Sequence, residues 1–230
     1  MTPQGHRAGQ DLPRPAAGSV IHIKQIRLAL RWFRAFYKQR RGDLRRSLPF
    51  APGPAQFLTV VVDASPWGIG GVQLDSTGTP VQWFADKVTR EDLLVFNGRL
   101  GDPAFNTTWE ALAIIVAIKL WLAPLHVATR VAIRSDSLSS LRAASRTSAR
   151  STGLNLVMGE LALLEAEMAL HIAELVHIPG LANKTADALS RLHAPTASAI
   201  PDMGGAVRAY PPPRPRGWWL MLAGNPRPGS

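Results

Sequence analysis

Apolar and polar positions change period several times along this chain, and each change predicts an element. From Val20 to about Arg46 the apolar residues Ile23, Ile26, Leu30, Phe33 and Tyr37 recur every three or four positions, which predicts a helix. Phe57 to Asp63 is a continuous β-branched run, the signature of a strand buried on both faces. Pro66-Trp67-Gly68 predicts a turn, Ile69 to Leu74 a second strand, Asp75 to Gly78 another turn, and Pro80 to Ala85 a third strand. Three strands joined so tightly form an antiparallel meander. Residues 86–106 show no period and are expected to be an irregular loop.

An apolar helix is expected from about Thr108 to Leu122, stopped by Pro124, followed by a fourth strand over Arg130 to Arg134 and a short helix after Asp136. Residues 143–153 read as loop. Leu154, Val157, Leu161, Leu164 and Met168 fall on one helical face. His171 to Ile178 predicts a fifth strand, and Asn183 to about Leu192 a closing helix after Pro179-Gly180. The order β-β-β-α-β-α-α-β-α, with no internal repeat, predicts an α/β fold: a five-stranded mixed sheet with helices on its faces.

Flanking composition divides the chain. Residues 1–19 are rich in Pro, Gly and Ala and are expected to be disordered; 20–48 form the basic amphipathic helix, 49–56 a linker, and 57–193 the folded domain. The Pro/Arg-rich tail, 194–230, is also expected to be disordered, with Trp218 and Trp219 as candidates for docking.

Charge sharpens this division. The net charge is +10, yet residues 57–193 carry 11 Lys/Arg against 13 acids, while residues 1–56 carry 11 against 2 and residues 194–230 carry 4 against 1. A slightly acidic domain between basic arms suits a polyanion held beside carboxylates. Lys24, Arg27, Arg31, Arg34, Lys38, Arg41 and Arg45 repeat beside the apolar seam of the first helix. Such a stripe is either a solvated face or a surface that tracks phosphates.

With no cysteine, disulfides, zinc knuckles and thiol chemistry are excluded. The polar start lacks a secretory signal, and Ala111 to Leu125, the longest apolar region, is interrupted by Lys119 and Pro124. An intracellular protein of cytoplasm or nucleus is expected.

Four acids stand where ordinary sequence logic needs an excuse for them. Asp63 ends a strand, where Asp is disfavoured; it could instead initiate the turn after it. Glu110 opens the apolar helix and could complete a capping box with Thr107. Asp136 follows the fourth strand and could cap the next helix. Asp187 sits inside the last helix and could simply face solvent. Taken together, two acids end neighbouring strands and two lie on helices packed against them. Clustered carboxylates repel unless cations lie between them, and Mg²⁺ in phosphate chemistry is held by a few carboxylates, waters and the substrate phosphate.

These residues carry a resemblance. Val61-Val62-Asp63-Ala64-Ser65-Pro66-Trp67-Gly68, Asn106-Thr107-Thr108-Trp109-Glu110-Ala111-Leu112, Ile133-Arg134-Ser135-Asp136-Ser137 and His177-Ile178-Pro179-Gly180-Leu181-Ala182-Asn183-Lys184-Thr185-Ala186-Asp187-Ala188-Leu189-Ser190-Arg191 resemble the motifs of the ribonuclease H domain of gypsy-type and DIRS-type retrotransposon reverse transcriptases. The likeness covers about residues 57–193, with the four acids in that family's order. It implies a ribonuclease H-like fold, and an endonuclease that hydrolyses the RNA strand of RNA–DNA hybrids to 5′-phosphate and 3′-hydroxyl ends. Asp63, Glu110, Asp136 and Asp187 would be both catalytic and metal-binding, holding two Mg²⁺ ions (or Mn²⁺), with Asp63 bridging them. Contacts to the hybrid are expected near Ala64, Ser65 and Glu110, where a 2′-hydroxyl can be read.

The chain departs from related enzymes in two respects. His177 lies in the fifth strand and is treated as a strand residue, and no second basic helix interrupts the domain. The first helix could replace it or be a remnant of the polymerase thumb or connection. No Tyr-x-Asp-Asp motif occurs, so the expected partner is the polymerase domain of the same element. The chain reads as one piece of a longer polyprotein, or as a decayed copy that starts at an internal Met. A catalytically idle hybrid-binding module is the alternative function. A transposase or integrase of related fold is disfavoured, because those place Asp, Asp and Glu in that order.

Overall fold

In the computed structural model, residues 23–39, 56–122, 129–146, 152–167, 170–197 and 199–223 are described. The elements are α1 (Ile23–Gln39), β1 (Gln56–Ala64), β2 (Gly68–Leu74), β3 (Pro80–Lys87), α2 (Arg90–Phe96), α3 (Asn106–Trp121), β4 (Thr129–Ser135), α4 (Leu138–Arg146), α5 (Thr152–Glu167), β5 (Leu170–His177), α6 (Lys184–Ser190) and β6 (Val207–Arg208). The expected segment 1–19 and, except for Gln56, the expected linker 49–56 lie outside the described residues. No helix among the described residues is long and apolar enough to cross a membrane.

The sheet order is β5-β4-β1-β2-β3-β6. β1, β2 and β3 pair antiparallel, as the two short turns require, while β4 lies parallel to β1 and β5 parallel to β4. Parallel neighbours need long crossovers, supplied by α3 between β3 and β4 and by α4 and α5 between β4 and β5. β1 is central, which is why it reads as an unbroken Val run: Val60 and Val62 are buried on one face and Asp63 on the other.

Each face has its own core. α3 is apolar all round, and Trp109 and the run Ala111 to Ile118 are buried between the sheet and α5. On the opposite face α6 lies directly on β2. A Cβ on Gly70 would sit 2.7 Å from the Ala186 carbonyl oxygen and from the Ser190 nitrogen, so only glycine permits this approach.

Three expectations about the elements are corrected. The sheet has six strands, because part of the tail adds β6 along β3. The expected loop 86–106 contains the end of β3 and α2, whose start is a capping box between Thr89 and Asp92; seven residues are too few to show a period. The expected loop 143–153 is shorter than its composition suggests, since α4 extends to Arg146 and α5 begins at Thr152.

The tail is the largest correction: residues 199–223 strap across the domain. Arg214, 1% exposed, donates to both Asp92 oxygens, to Asp86 and to the Lys87 carbonyl. Trp219 is buried against Phe96, and the amides of Leu220 and Met221 donate to the buried Glu160 carboxylate. Lys119 also meets Glu160, at 2.7 Å. Proline-rich composition hid these anchors, which are single residues far apart in sequence from their partners.

α1 presents the face opposite to the one expected. Ile26, Leu30, Phe33 and Tyr37 are 38%, 55%, 48% and 67% exposed, whereas Leu28, Trp32, Ala35 and Phe36 pack on the core. The helix carries two apolar stripes, and α5 takes the one with tryptophan. Nothing is described of the Ile23 side chain.

Candidate active site

Parallel strands β1, β4 and β5 end side by side, and their carboxyl ends deliver Asp63, Asp136 and His177 to one rim of the sheet. That rim is where α/β sheets ordinarily bind ligands. α3 reaches it from one face with Glu110, its fifth residue, and α6 from the other with Asp187 in its first turn.

None of the first three acids has its ordinary role. The β1–β2 turn is closed by Ser65, whose hydroxyl accepts from the amides of Trp67 and Gly68. α3 begins two residues earlier than expected, at Asn106 after Phe105, so Glu110 completes no capping box. Ser137 rather than Asp136 caps α4, through the Ser140 amide at 3.3 Å. Asp187 does keep an ordinary helix contact, a 2.6 Å ion pair with Arg191 at the i,i+4 spacing, with its side chain 42% exposed.

The electrostatics tie the acids together. Burial, then the charge of Asp136, push the Asp63 carboxyl up to about 8; the Asp187 charge and a hydrogen bond with Asp136 add to the rise, against the lowering bond from Ser190. Burial raises Glu110 to about 7, with the Asp136 charge contributing and hydrogen bonds from Ser137 and Ser140 opposing. Asp136 is thus the common neighbour of Asp63 and Glu110. One oxygen of Glu110, Oε2, is buried without a hydrogen-bond partner.

Among the described residues, however, no group of three or more His, Asp or Glu side chains is arranged as a ready-made cation cage. Three of the acids also have a polar neighbour of their own. Asp63 is held by Ser190, Asp136 by Asn183 and Asp187 by Arg191.

Other expected contacts fare differently. Ala64 and Ser65 are 7% and 1% exposed, and the Ser65 hydroxyl is committed to the Ser190 carbonyl at 2.8 Å and to the turn. Their side chains therefore serve the fold. Arg27, Arg31, Arg34 and Lys38 are exposed along α1. Lys24 lies on the same helix, with nothing described of its side chain, and Arg41 and Arg45 lie outside the described residues. His177 is the last residue of β5, and its Nε2 lies 3.0 Å from the Asp136 carbonyl oxygen.

Asn183 and Ser190 are functional candidates that sequence reasoning missed. Asn183, 1% exposed, donates from Nδ2 to the Val62 carbonyl at 3.3 Å and toward Asp136 Oδ1 at 3.4 Å. The available signal was helical phase: Asn183, Ala186 and Ser190 share the face that α6 buries, and a polar residue there needs a partner.

No family model matches the chain, and no curated protein matches its sequence. Among solved structures it is similar to ribonuclease H1 from the halophilic archaeon Halobacterium salinarum, at 19% identity and a TM-score of 0.46 over 60% of this chain and 96% of that one. It is similar to LC11 ribonuclease H1, isolated from compost and solved in complex with an RNA/DNA hybrid, at 22% identity and a TM-score of 0.43 over 57% and 92% of the two chains. It is similar to the N-terminal ribonuclease H domain of a Mycobacterium tuberculosis protein, at 19% identity and a TM-score of 0.40 over 58% and 95%. The chain's own strand order makes it a mixed α/β fold with Asp63 and Asp136 at one rim of the sheet.

Proposed function

We propose that this chain is a ribonuclease H: an endonuclease that hydrolyses the RNA strand of RNA–DNA hybrids, as part of a retroelement reverse transcriptase whose polymerase domain is its partner. The observation that carries the reading is the juxtaposition of Asp63, Glu110 and Asp136, three acids on three elements, with Asp136 raising both of the others. Folding them together raises both Asp63 and Glu110 toward neutral pH, a cost that an architectural role does not explain.

The donor set fits a hard divalent cation. It is all oxygen, it includes the unpartnered Oε2 of Glu110, and burial and like charge push Asp63 up to about 8 and Glu110 up to about 7. Asp63, Glu110, Asp136 and Asp187 would hold Mg²⁺, or Mn²⁺, which supplies activation of water and stabilisation of the leaving oxygen in an in-line displacement. The residues' own task is to place those oxygens together at the rim of the sheet. The exposed cations of α1 give the hybrid's phosphates a surface beyond the site.

The test is a labelled RNA–DNA hybrid incubated with the full chain and Mg²⁺. Cleavage of the RNA strand, lost in Asp136→Asn, is the expected result. Binding without cutting, with the RNA intact at saturating Mg²⁺ and Mn²⁺, would make the chain an idle hybrid-binding module instead.

A further inference from the structure

We infer that Ser190 is a positioning residue for Asp63, holding one carboxylate oxygen so that the other is presented to a divalent cation. This rests on the nuclease reading above but concerns a residue with no part in the sequence motif's chemistry.

Ser190 closes α6 and is fully buried. Its hydroxyl lies 3.0 Å from Asp63 Oδ2 and 2.9 Å from the Asp187 carbonyl oxygen. A hydroxyl has one hydrogen, so it satisfies one of these acceptors at a time. The Asp187 carbonyl already accepts the Arg191 amide, and an ionised carboxylate is the stronger acceptor. The hydrogen therefore belongs to Asp63 whenever Asp63 is charged.

The serine is fixed in place from both sides. Its carbonyl accepts the Ser65 hydroxyl, tying α6 to the β1–β2 turn immediately after Asp63, and its amide lies against Gly70 of β2. A donor so braced sets the rotation of the carboxylate it holds. Outer partners of this kind orient metal ligands and are worth roughly 10–100-fold in cation affinity. A purely structural serine would change stability and leave cation affinity alone.

The experiment compares the full chain with Ser190→Ala and Ser190→Cys. Mn²⁺ binding is followed by calorimetry, cleavage as a function of Mg²⁺, and melting in chelator. The expected result for Ser190→Ala is a Mn²⁺ dissociation constant raised about tenfold, a matching shift in the Mg²⁺ midpoint of cleavage, and a KM for hybrid within about twofold of the parent. Ser190→Cys, a weaker donor of similar shape, falls between. Wild-type Mn²⁺ affinity in a cooperatively melting Ser190→Ala overturns the inference; if that variant does not fold, wild-type affinity in Ser190→Cys overturns it. Should the parent bind Mn²⁺ but cut nothing, the nuclease reading fails while calorimetry still decides Ser190. A parent that binds no Mn²⁺ sinks both.

Discussion

The Asn183 side chain bridges two elements of the site: its amide donates to the Val62 carbonyl, next to Asp63, and reaches the Asp136 carboxylate at 3.4 Å. One buried amide thereby holds the end of β1 against the acid that follows β4. Asn183→Ala is expected to lower cleavage about tenfold at limiting Mg²⁺ and to cost about 1–3 kcal/mol through the stranded Val62 carbonyl. Asn183→Asp should be worse, because it sets another carboxylate beside Asp136. Steady-state kinetics against Mg²⁺, with chemical denaturation of each variant, checks both.

Replacing an acid of the site should trade activity for stability. Asp63→Asn and Asp136→Asn remove like-charge repulsion between close neighbours, so both are expected to abolish cleavage and to melt higher than the parent in chelator at pH 8. Lower melting of both variants would contradict the repulsion argued here.

Burial and the same repulsion make metal-free stability depend on pH. Asp63 is raised from 3.8 to about 8 and Glu110 from 4.5 to about 7 on folding. Raised folded values mean that the folded protein holds protons which the unfolded chain has released. The stabilisation is complete below about 4 and lost as pH rises through 7 and 8. In chelator the melting temperature should fall by at least about 5 °C between pH 5 and 8.5, and saturating Mg²⁺ should recover most of the fall. A flat profile would show that the carboxyls do not meet as described.

The tail should matter as much as any core residue. Arg214→Ala strands Asp92, which is fully buried, and is expected to cost about 3–5 kcal/mol. Trp219→Ala, which empties a fully buried site, should cost a similar amount. Truncation after Pro195 removes both anchors together with the amides on Glu160, and should leave a chain that melts far lower or not cooperatively. Thermal denaturation followed by near-ultraviolet circular dichroism measures all three.

Neutralising α1 tests its contact with the hybrid. Arg27, Arg31 and Lys38 together changed to Gln are expected to weaken hybrid binding and to reduce the salt slope by up to about 0.9 for each phosphate no longer neutralised, leaving the chemical step intact. Identical affinity and slope, measured by anisotropy across a salt series, would assign those cations to solvent.

Sequence alone determined the strands of the central sheet, because a Val run, two tight turns and a change of period are local signals, and it marked the four acids by their joint pattern, each alone having an ordinary explanation. What it could not determine was how those acids are held. Ser190 and Asn183 look like ordinary polar residues of a short helix until α6 is laid on Gly70, and their partners are 127 and 47 positions away. The buried stripe of α1 was equally undecided: both stripes are apolar, and only the surface of α5 selects Trp32 and Phe36 over Phe33 and Tyr37. In the tail, Arg214 and Trp219 sit among prolines that carry no period, and only a waiting Asp92 and a space beside Phe96 turn them into anchors. Periodicity is written along a chain, but a hydrogen bond or a cavity exists only once two distant segments have met.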